Sequence, residues 1–584
     1  MSETRTIPVS PSAAALPTFT VKIDGNAVPR TLSIISAVVT REVNKIPRLH
    51  LVIQDGLAAT SDFPASNEAF FVPGKSIELW VGYSMQEGMA FKGIIIKHSI
   101  RIRQSGSPLL LVQAADKAIA MTASPQRKYF TDIKDSDVFN DLANAYGLEA
   151  DIEQTIVTHG QLMQFYCSDW DFIQTRAEVN GKLCFCENGK LVIKKPVLDA
   201  KPVLQLLYGA TIIELDAEMD AMQQYSEVRA YSWNPADQKL AETSGNEPQG
   251  LKEQGNVNAQ TLSAVAKSKP YPLTHSGNLN EQEQQVWADA LLLKSRLSKI
   301  KGRASFNGYR QIMPGQIVSL AGLGNRFNGP VFVSGIRHEI EGGYWKTNIQ
   351  FGLSHKWFAA ENDVQPLPAS GMAPAVKGLQ IGVVVQLEKD AAGEFRIKVK
   401  IPVVDMNGEG IWCRVSMPDA GKERGFFFLP EIGDEVVVAF LNEDPAHPVV
   451  LGCLYSSAKP AKITPSDDNH QKGIISRSGM QWLWDDDKKT FLADTPAGNK
   501  ILLSEDEKLL KLEDQNGNKI TMNSDGISIE SPKAIVLKAG TDIKAEASAN
   551  AEVKGASAKF SGDASAELSS GGSTTVKGSM VMIN

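Results

Sequence analysis

From residue 527 onward, the chain repeats apolar positions at intervals of eight. Nearly every second side chain is small or apolar, and a period of two is typical of β-strands because successive side chains point to opposite faces. The second period indicates short strands that each turn a corner. Such thin repeats bury their apolar face by stacking on neighbours, so they predict a β-helix or β-prism built from several copies of the chain. Its predicted core positions are Ile527, Ile535, Ile543, Val553, Phe560, Leu568 and Val576.

The parity of this repeat changes once, near Gly555. Between Val553 and Ala556 the apolar positions pass from odd to even numbers, and because a one-residue slip exchanges the two faces of a strand, an extra residue must be absorbed there. Residues 544–579 are rich in Ala, Ser, Gly and Lys, which is also the composition of a disordered tail. The sustained periods and the apolar run 580–583 favour an ordered shaft.

Upstream, short alternating stretches bounded by Gly and Asp fill most of the first 360 residues. This pattern is typical of barrels and sandwiches, and it predicts two β-barrel-like units with helical inserts. Within one insert, two strands meet at Asn188-Gly189, where Asn-Gly indicates a hairpin turn.

Three amphipathic stretches predict the helical inserts. The first covers 135–147, with Asp135 as its candidate N-cap. The second carries Trp170, Phe172, Ile173 and Ala177 and is capped by Ser168 or Asp169. The third covers 284–299 and has a single apolar stripe.

A compact all-β stretch follows a proline-rich linker. Its five predicted strands fit a small Greek-key barrel of the OB type, and a second polar linker leads to the repeats. The predicted organisation is a hub region with two barrel-like domains, a linker, an OB-fold domain, a second linker and a β-helix needle, at residues 1–365, 366–376, 377–458, 459–472 and 473–584.

Composition and charge exclude several functions. A net charge of −7 argues against nucleic-acid binding and against docking on anionic lipid. No apolar run approaches the roughly 18 residues that span a bilayer, and the start lacks the basic and apolar regions of a secretory signal. We therefore expect cytoplasmic synthesis without a signal peptide and no stable membrane insertion. The odd number of scattered cysteines predicts buried thiols rather than disulfides or a zinc site: Cys167, Cys184, Cys186, Cys413 and Cys453.

The sequence contains no known catalytic motif. There is no H-E-x-x-H, G-x-S-x-G or Walker loop, and the acidic runs at 485–487 and 514–518 fit turns better than calcium loops. His159, His338 and His447 lie far apart in the sequence and are interpreted as structural. The sequence does not exclude a pair of catalytic carboxylates like that of a glycosidase, because it contains many Asp and Glu residues. We predict no catalytic, cofactor-binding or metal-binding residue, and a mechanical role.

Residues 378–452 resemble the OB-fold hub domain of contractile phage tails and of VgrG spike proteins. Three other segments, 42–56, 168–185 and 512–531, resemble further parts of the VgrG hub and its entry into the β-helix. Asn442-Glu443 departs from the family pattern, which often has a Gly there. The OB match rests on Gly382-Val383-Val384, Arg396-Ile397-Lys398-Val399, Pro402, Trp412, Arg414-Val415, Gly425, Pro430, Gly433-Asp434-Glu435-Val436, Val438, Phe440, Asp444-Pro445, Pro448, Val450 and Gly452.

The resemblance implies a homotrimer whose three tails wind into one needle. The expected fold class is therefore mainly β, with two β-barrel hub domains with helical inserts, an OB-fold barrel and a C-terminal triple-stranded intertwined β-helix. It also implies a separate PAAR-type tip protein on the blunt end, where the predicted docking residues are Met580, Met582, Ile583 and Asn584.

The expected function is a structural spike at the centre of a contractile injection system baseplate, joining inner tube to tip and piercing the target envelope. Its expected partners are inner tube and tube-initiator proteins at the N-terminal hub, baseplate hub or wedge proteins, and possible effector cargo. An extracellular phage-tail-like particle is the first interpretation, with release outside the cell or delivery into a target cell, and a type VI secretion spike the second. The alternatives are a spike with muramidase-like activity and a passive receptor-binding tail fibre; only a short polar linker stands where some phage hubs carry a lysozyme domain.

Overall fold

Strands dominate the structure, a computed structural model that describes residues 16–265 and 269–583. The chain divides into a hub unit, which runs up to residue 376 and includes 442–445, and a C-terminal unit, which includes 377–441 and continues from 446. The predicted mainly β fold is confirmed. Among the described residues, no helix has the length and apolar character that crossing a bilayer requires.

The hub unit begins with seven strands around one hydrophobic core. Alternate residues of these strands point into that core, where Leu49, Phe71 and Phe91 are fully buried. The elements are Pro17–Ile23 (β1), Asn26–Ala27 (β2), Ile34–Glu42 (β3), Arg48–Gln54 (β4), Pro64–Asn67 (α1), Ser76–Tyr83 (β5), Gln86–Arg101 (β6) and Leu109–Ala115 (β7).

A helical insert with its own core follows a 3₁₀ turn at Lys117–Thr122. Its elements are Pro125–Lys134 (β8), Asp135–Ala145 (α2), Glu149–Ile152 (β9), Thr158–Ser168 (β10), Asp169–Val179 (α3), Leu183–Cys186 (β11) and Lys190–Lys194 (β12). The predicted hairpin is confirmed, because β11 pairs with β12 around Asn188 and Gly189, both at positive φ. Ser168 is confirmed as the cap of α3, with Oγ accepting from the Asp171 N–H at 3.1 Å.

The prediction that Asp135 caps α2 is wrong. Helix α2 begins at Asp135 itself, and the N-cap residue is Lys134, which makes no side-chain capping bond. The Asp135 carboxylate instead accepts hydrogen bonds from Arg176, at 2.7 and 2.9 Å. The Asp135 carboxylate therefore pairs with a distant arginine and does not cap its own helix.

The second half of the hub contains the predicted helix at 284–299, which the structure places at Glu281–Leu297. Asn280 and Glu283 form a capping box at its start. The elements are Leu204–Leu207 (β13), Glu214–Met219 (β14), Val228–Asn234 (β15), Lys239–Ser244 (β16), Ala259–Ser263 (α4), Tyr271–His275 (β17), Glu281–Leu297 (α5), Ile300–Asn307 (β18), Ile317–Ala321 (β19), Gly324–Phe327 (α6), Gly329–Glu341 (β20), Tyr344–Phe351 (β21) and Phe358–Glu361 (α7).

The two halves of the hub share one sheet. Strand β20 pairs with β3, so that within the described residues a 13-stranded sheet runs in the order β14-β18-β21-β20-β3-β4-β7-β6-β5-β1-β2, with β13 and β19 joined through β20. Each half keeps a hydrophobic cluster of its own. The two predicted β units therefore appear as two cores on a continuous sheet.

The OB domain is a closed five-stranded barrel, as predicted. Its strands run in the order β22-β23-β24-β28-β27, around a core that includes Val399, Cys413 and Val436. A short hairpin, β25–β26, projects between β24 and β27. The strands are Gln380–Gln386 (β22), Ile397–Lys400 (β23), Ile411–Val415 (β24), Ala420–Gly421 (β25), Arg424–Gly425 (β26), Glu435–Phe440 (β27) and Pro448–Cys453 (β28).

A seven-stranded antiparallel meander ends the regular structure. Each strand pairs with the next in sequence, and the turn predicted at 514–518 is confirmed between the fifth and sixth strands, with Gly517 at φ 87°. The strands are Gln471–Ile475 (β29), Gln481–Asp485 (β30), Thr490–Asp494 (β31), Lys500–Ser504 (β32), Leu509–Glu513 (β33), Lys519–Asn523 (β34) and Gly526–Glu530 (β35).

Candidate functional site: the C-terminal sheet and the shaft segment

One face of the β29–β35 sheet is almost entirely apolar. The register places Trp482, Ala493, Ile501, Leu512, Ile520 and Ile529 in one row across neighbouring strands, and a second row two residues away lies on the same face. We call this surface the apolar face. Its members are Ile474, Trp482, Trp484, Phe491, Ala493, Ile501, Leu503, Leu510, Leu512, Ile520, Met522, Ile527 and Ile529.

The opposite face of the same sheet carries charge. Its outer row alternates in sign across consecutive strands, so that each charge lies opposite a charge of the other sign. Lys519 and Glu530 form an ion pair at 2.8 Å. Exposed pairs of this kind contribute little to stability. The charge row consists of Asp494, Lys500, Glu513, Lys519 and Glu530.

The apolar face is uncovered in the single chain. Trp482 is 57% exposed and Ile527 69% exposed, whereas Leu502 on the charged face is only 9% exposed. Soluble monomers rarely expose a contiguous apolar patch larger than a few hundred Å². The described part of the chain therefore leaves this apolar face uncovered.

Residues 531–583, which we call the shaft segment, continue from this sheet. No residue between 534 and 583 lies in a helix or strand, all are exposed, and no backbone N–H in that range donates to a backbone carbonyl within it. Backbone groups are obligatory hydrogen-bonding groups. A segment with strand periodicity and unpaired backbone has the character of a strand without its partners.

The structure brings only one of the seven predicted β-helix core residues into the apolar face. Ile527 pairs with Met522 on β34. The other six lie in the shaft segment at exposures between 53% and 80%, and the single chain does not bring them together: Ile535, Ile543, Val553, Phe560, Leu568 and Val576. Their role as a core stays a prediction.

The predicted tip-docking residues lie at the end of the shaft segment. Met580, Met582 and Ile583 are exposed, the last by 90%. Asn584 lies outside the described residues. No described residue covers these three side chains, and their docking role stays a prediction.

The sequence analysis missed a buried ion cluster in the hub. Asp135, 1% exposed, accepts hydrogen bonds from Arg176, His159 and Asn180, and His159 Nδ1 lies 3.2 Å from a Glu283 carboxylate oxygen on α5. Burial opposes ionisation of Asp135, but these donors outweigh it and hold the pKa of the carboxyl well below its usual range. His159 therefore has partners that its sequence position did not reveal, and the closed cluster ties α2, α3, β10 and α5 together.

The prediction of buried thiols is wrong for Cys453, which is exposed, whereas His338, Cys413 and Cys184 are buried. His338 is buried against Thr347, and burial lowers its pKa to about 3, so it is neutral. Burial likewise raises the pKa of the Cys413 thiol to about 12 and that of Cys184 far above its ordinary value, which makes both thiols unreactive. Among the described residues, no group of three or more His, Cys, Asp or Glu side chains could hold a metal ion.

Two family descriptions match the sequence. The Alg8 N-terminal domain matches residues 13–342, and the type VI secretion system/phage-baseplate injector OB domain matches residues 380–455. The second match covers the closed barrel, and it confirms the OB resemblance drawn from the sequence.

The curated relatives are spike proteins. The type VI secretion system spike proteins VgrG1b and VgrG1c of Pseudomonas aeruginosa are 28% identical over 34% of this chain and 33% identical over 20% of it. The alignments span 28% and 16% of those proteins' own lengths, so the chain spans less than a third of the curated relatives it matches. These relatives confirm the resemblance to VgrG.

Solved structures show weaker likenesses. A prophage MuSo2 tail protein of Shewanella oneidensis has a TM-score of 0.43 at 11% identity, covering 58% of this chain and 99% of that one. An E. coli type VI secretion component, described as similar to T4 tail proteins gp27 and gp5, has a TM-score of 0.37 at 12% identity, covering 74% and 99%. Because both scores are below 0.5, the family assignment rests on the sequence matches.

Proposed function

The chain belongs to the family of the Alg8 N-terminal domain, whose description covers more than half of it, and we propose that it is the structural spike at the centre of a contractile injection system baseplate. The injector OB domain and the similarity to VgrG spike proteins support this role. In the proposed spike, the boundaries are those predicted from the sequence: hub 1–365, OB domain 377–458 and needle 473–584.

The observation that carries the proposal is the uncovered apolar face. Thirteen apolar side chains lie on one side of a single-layer sheet, and the shaft segment beyond it has no backbone partner. Three copies of the sheet, each turning its apolar face to a common axis, would bury this surface and leave the charge row outside. The shaft segments would then pair with one another as a triple-stranded β-helix, whose closed hydrogen bonding leaves free edges only at its ends.

One matched pair of substitutions tests the trimer. Ile520 lies on the apolar face, and the adjacent Thr521 lies on the charged face. We expect the wild-type chain and Thr521→Asp to have three times the chain mass in sedimentation equilibrium, whereas Ile520→Asp should shift the protein to smaller species. Burying an unpaired carboxylate in an apolar core costs several kcal/mol per copy.

A wild-type chain that remains monomeric at micromolar concentration would overturn the trimer. So would an Ile520→Asp protein that remains as stable a trimer as Thr521→Asp.

The proposed partners follow from the two ends of the spike. A PAAR-type tip protein would dock at Met580, Met582 and Ile583, whose exposed apolar side chains support an apolar contact. Inner tube and tube-initiator proteins would dock at the N-terminal hub, with baseplate hub or wedge proteins around it, and effector cargo is a further partner. Electron microscopy of the particle should place the chain at the baseplate centre, in either an extracellular particle or a type VI system.

The proposed role is mechanical and not enzymatic. Sheath contraction would drive the spike through a target envelope, and the needle would carry the load. A muramidase assay of the purified chain against a peptidoglycan substrate should give no turnover above buffer. Turnover would instead favour the envelope-degrading alternative.

A further inference from the structure

Three consecutive phenylalanines lie at the end of the OB barrel from which the chain leaves for the C-terminal sheet. Strand β24 runs parallel to β28, and β27 runs antiparallel to β28. The segment between β24 and β27, which contains Phe426, Phe427 and Phe428, is therefore at the same end as the exit from β28. We call these three residues the aromatic run.

Hydrogen bonds anchor the start of the aromatic run. The β25–β26 hairpin precedes it, Arg424 pairs with Asp419 at 2.6 Å, and the Phe426 N–H donates to the Asp419 carbonyl at 2.9 Å. Gly425 has φ 126°, and a Cβ there would lie 2.4 Å from the Asp419 oxygen, so the turn requires glycine. The hairpin and these bonds therefore define the backbone at the point where the run begins.

The side chains of the run are nevertheless exposed. Phe427 is 73% exposed, and its two neighbours are at least half exposed. Large rigid aromatic side chains cost little conformational entropy when they are buried in an interface, and they dominate interface energetics. Three of them fixed in solvent therefore indicate a contact surface.

A groove for such a side chain lies on the same unit. Phe428 lines it together with Ile474, Met480, Trp482 and Ile501, and its volume is about 390 Å³. An apolar cavity of roughly 150 Å³ is enough to bind benzene, so a phenyl ring fits. The groove opens at the first strands of the apolar face and is continuous with it, since Ile474, Trp482 and Ile501 belong to both.

We infer that Phe427 of one copy occupies the groove of the neighbouring copy, forming a latch at the root of the needle. This inference rests on the proposed trimer. A second copy is the occupant for two reasons. The groove continues the surface that the trimer would bury, and the aromatic run lies at the end of the barrel from which the chain leaves for the C-terminal sheet. The contact is heterologous, from run to groove, and a heterologous contact closes into a ring when it is repeated around a three-fold axis.

Cross-linking tests the latch directly. In a full-length Cys453→Ser background, which removes the exposed native thiol, Phe427→Cys and Met480→Cys are combined and oxidised. We expect covalent trimers on a denaturing gel, because each disulfide joins two copies. A protein that is trimeric before denaturation but gives only unlinked chains, or a disulfide within one chain, overturns the latch and leaves the trimer intact.

The rate of trimer dissociation provides a second test of the latch. Phe427→Ala in the full-length chain should raise the trimer dissociation rate at least about tenfold, as expected for truncation of a buried aromatic anchor. Phe395→Ala is the matched control, since Phe395 is even more exposed on another loop of the same barrel, and it should leave the rate unchanged. Equal rates in the two variants overturn the latch, whereas a monomeric wild type overturns the proposed function itself.

Discussion

At the scale of single residues, the hub is held by polar groups as well as by its apolar cores. Asp135 is the centre of the ion cluster, with Arg176 bound through two nitrogens and with His159 and Asn180 as further donors. Removing one member of a buried charge pair leaves the other charge unpaired and without water. The cluster therefore makes the packing of α2 against α3 depend on one carboxylate.

We predict that Asp135→Asn lowers the free energy of unfolding of the hub by about 3 kcal/mol at pH 7. The folded-state pKa of Asp135 is depressed, so its stabilisation is fully present above the unfolded pKa of about 4 and is lost as the pH falls through the folded pKa. The difference between wild type and variant should shrink below about pH 4. Urea unfolding followed by tryptophan fluorescence at several pH values measures it.

Asp216→Asn is the matched control for this prediction. Asp216 pairs with Arg303 at 2.6 Å, but both side chains are mostly exposed, so its loss should change stability by less than about 1 kcal/mol. A pH-independent difference for Asp135→Asn would show that packing, and not ionisation, is responsible.

At the scale of elements, the sequence predicted what depends on local rules. Ser168 and the Asn188-Gly189 turn act within a few residues of chain, so capping and turn preferences were sufficient to find them. Asp135 looked equally like a cap, but its partner Arg176 lies 41 residues away. The pairing of β20 with β3 joins still more distant parts of the chain, and no local pattern reports such a pairing.

For the candidate site, the sequence predicted which residues alternate as in a strand, but not which other strands they pair with. Residues 510–530 alternate between apolar and polar positions and form the last hairpins, because each strand pairs with the next one in sequence. The residues from Ile535 to Val576 have the same pattern but pair with no strand in the part of the chain that the structure describes. Nor did spacing indicate the aromatic run and its groove, which depend on where the barrel strands place their loops.

Removal of one cap tests the element scale. Ser168→Ala should lower the free energy of unfolding by about 1 kcal/mol, since the Asp171 N–H loses its acceptor at the start of α3. Lys134→Ala is the control, because Lys134 occupies the same position before α2 without a capping bond. Thermal unfolding by circular dichroism compares the two, and equal losses would contradict the capping role.

At the scale of the whole molecule, the hub unit differs from the C-terminal sheet and the shaft segment in how much apolar surface is buried within one chain. The hub unit has buried cores within one chain. The apolar face and the shaft segment have no such burial, so their order would come from the other copies.

We predict that limited proteolysis separates these two behaviours. In the trimer, the lysines of the shaft segment should resist trypsin, because paired backbone does not fit a protease cleft. In Ile520→Asp, the same region should be cut first, with the hub left intact. Mass spectrometry of the fragments identifies the sites, and a protected shaft segment in a monomeric chain would contradict the need for partners.

The charge row on the C-terminal sheet has a consequence for how accurately the strands align. A one-residue slip would turn the apolar face outward. A two-residue slip keeps every side chain on its own face, so burial of the apolar face does not disfavour it. In one direction, such a slip would put Lys500 opposite Lys511, and Lys511 opposite Lys519, where the native register pairs Lys500 with Glu513 and Glu513 with Lys519. Like charges directly opposite one another are destabilising. Charge repulsion on this face therefore disfavours a misalignment that hydrophobic burial alone would allow. An error here would also shift the register of every strand that follows.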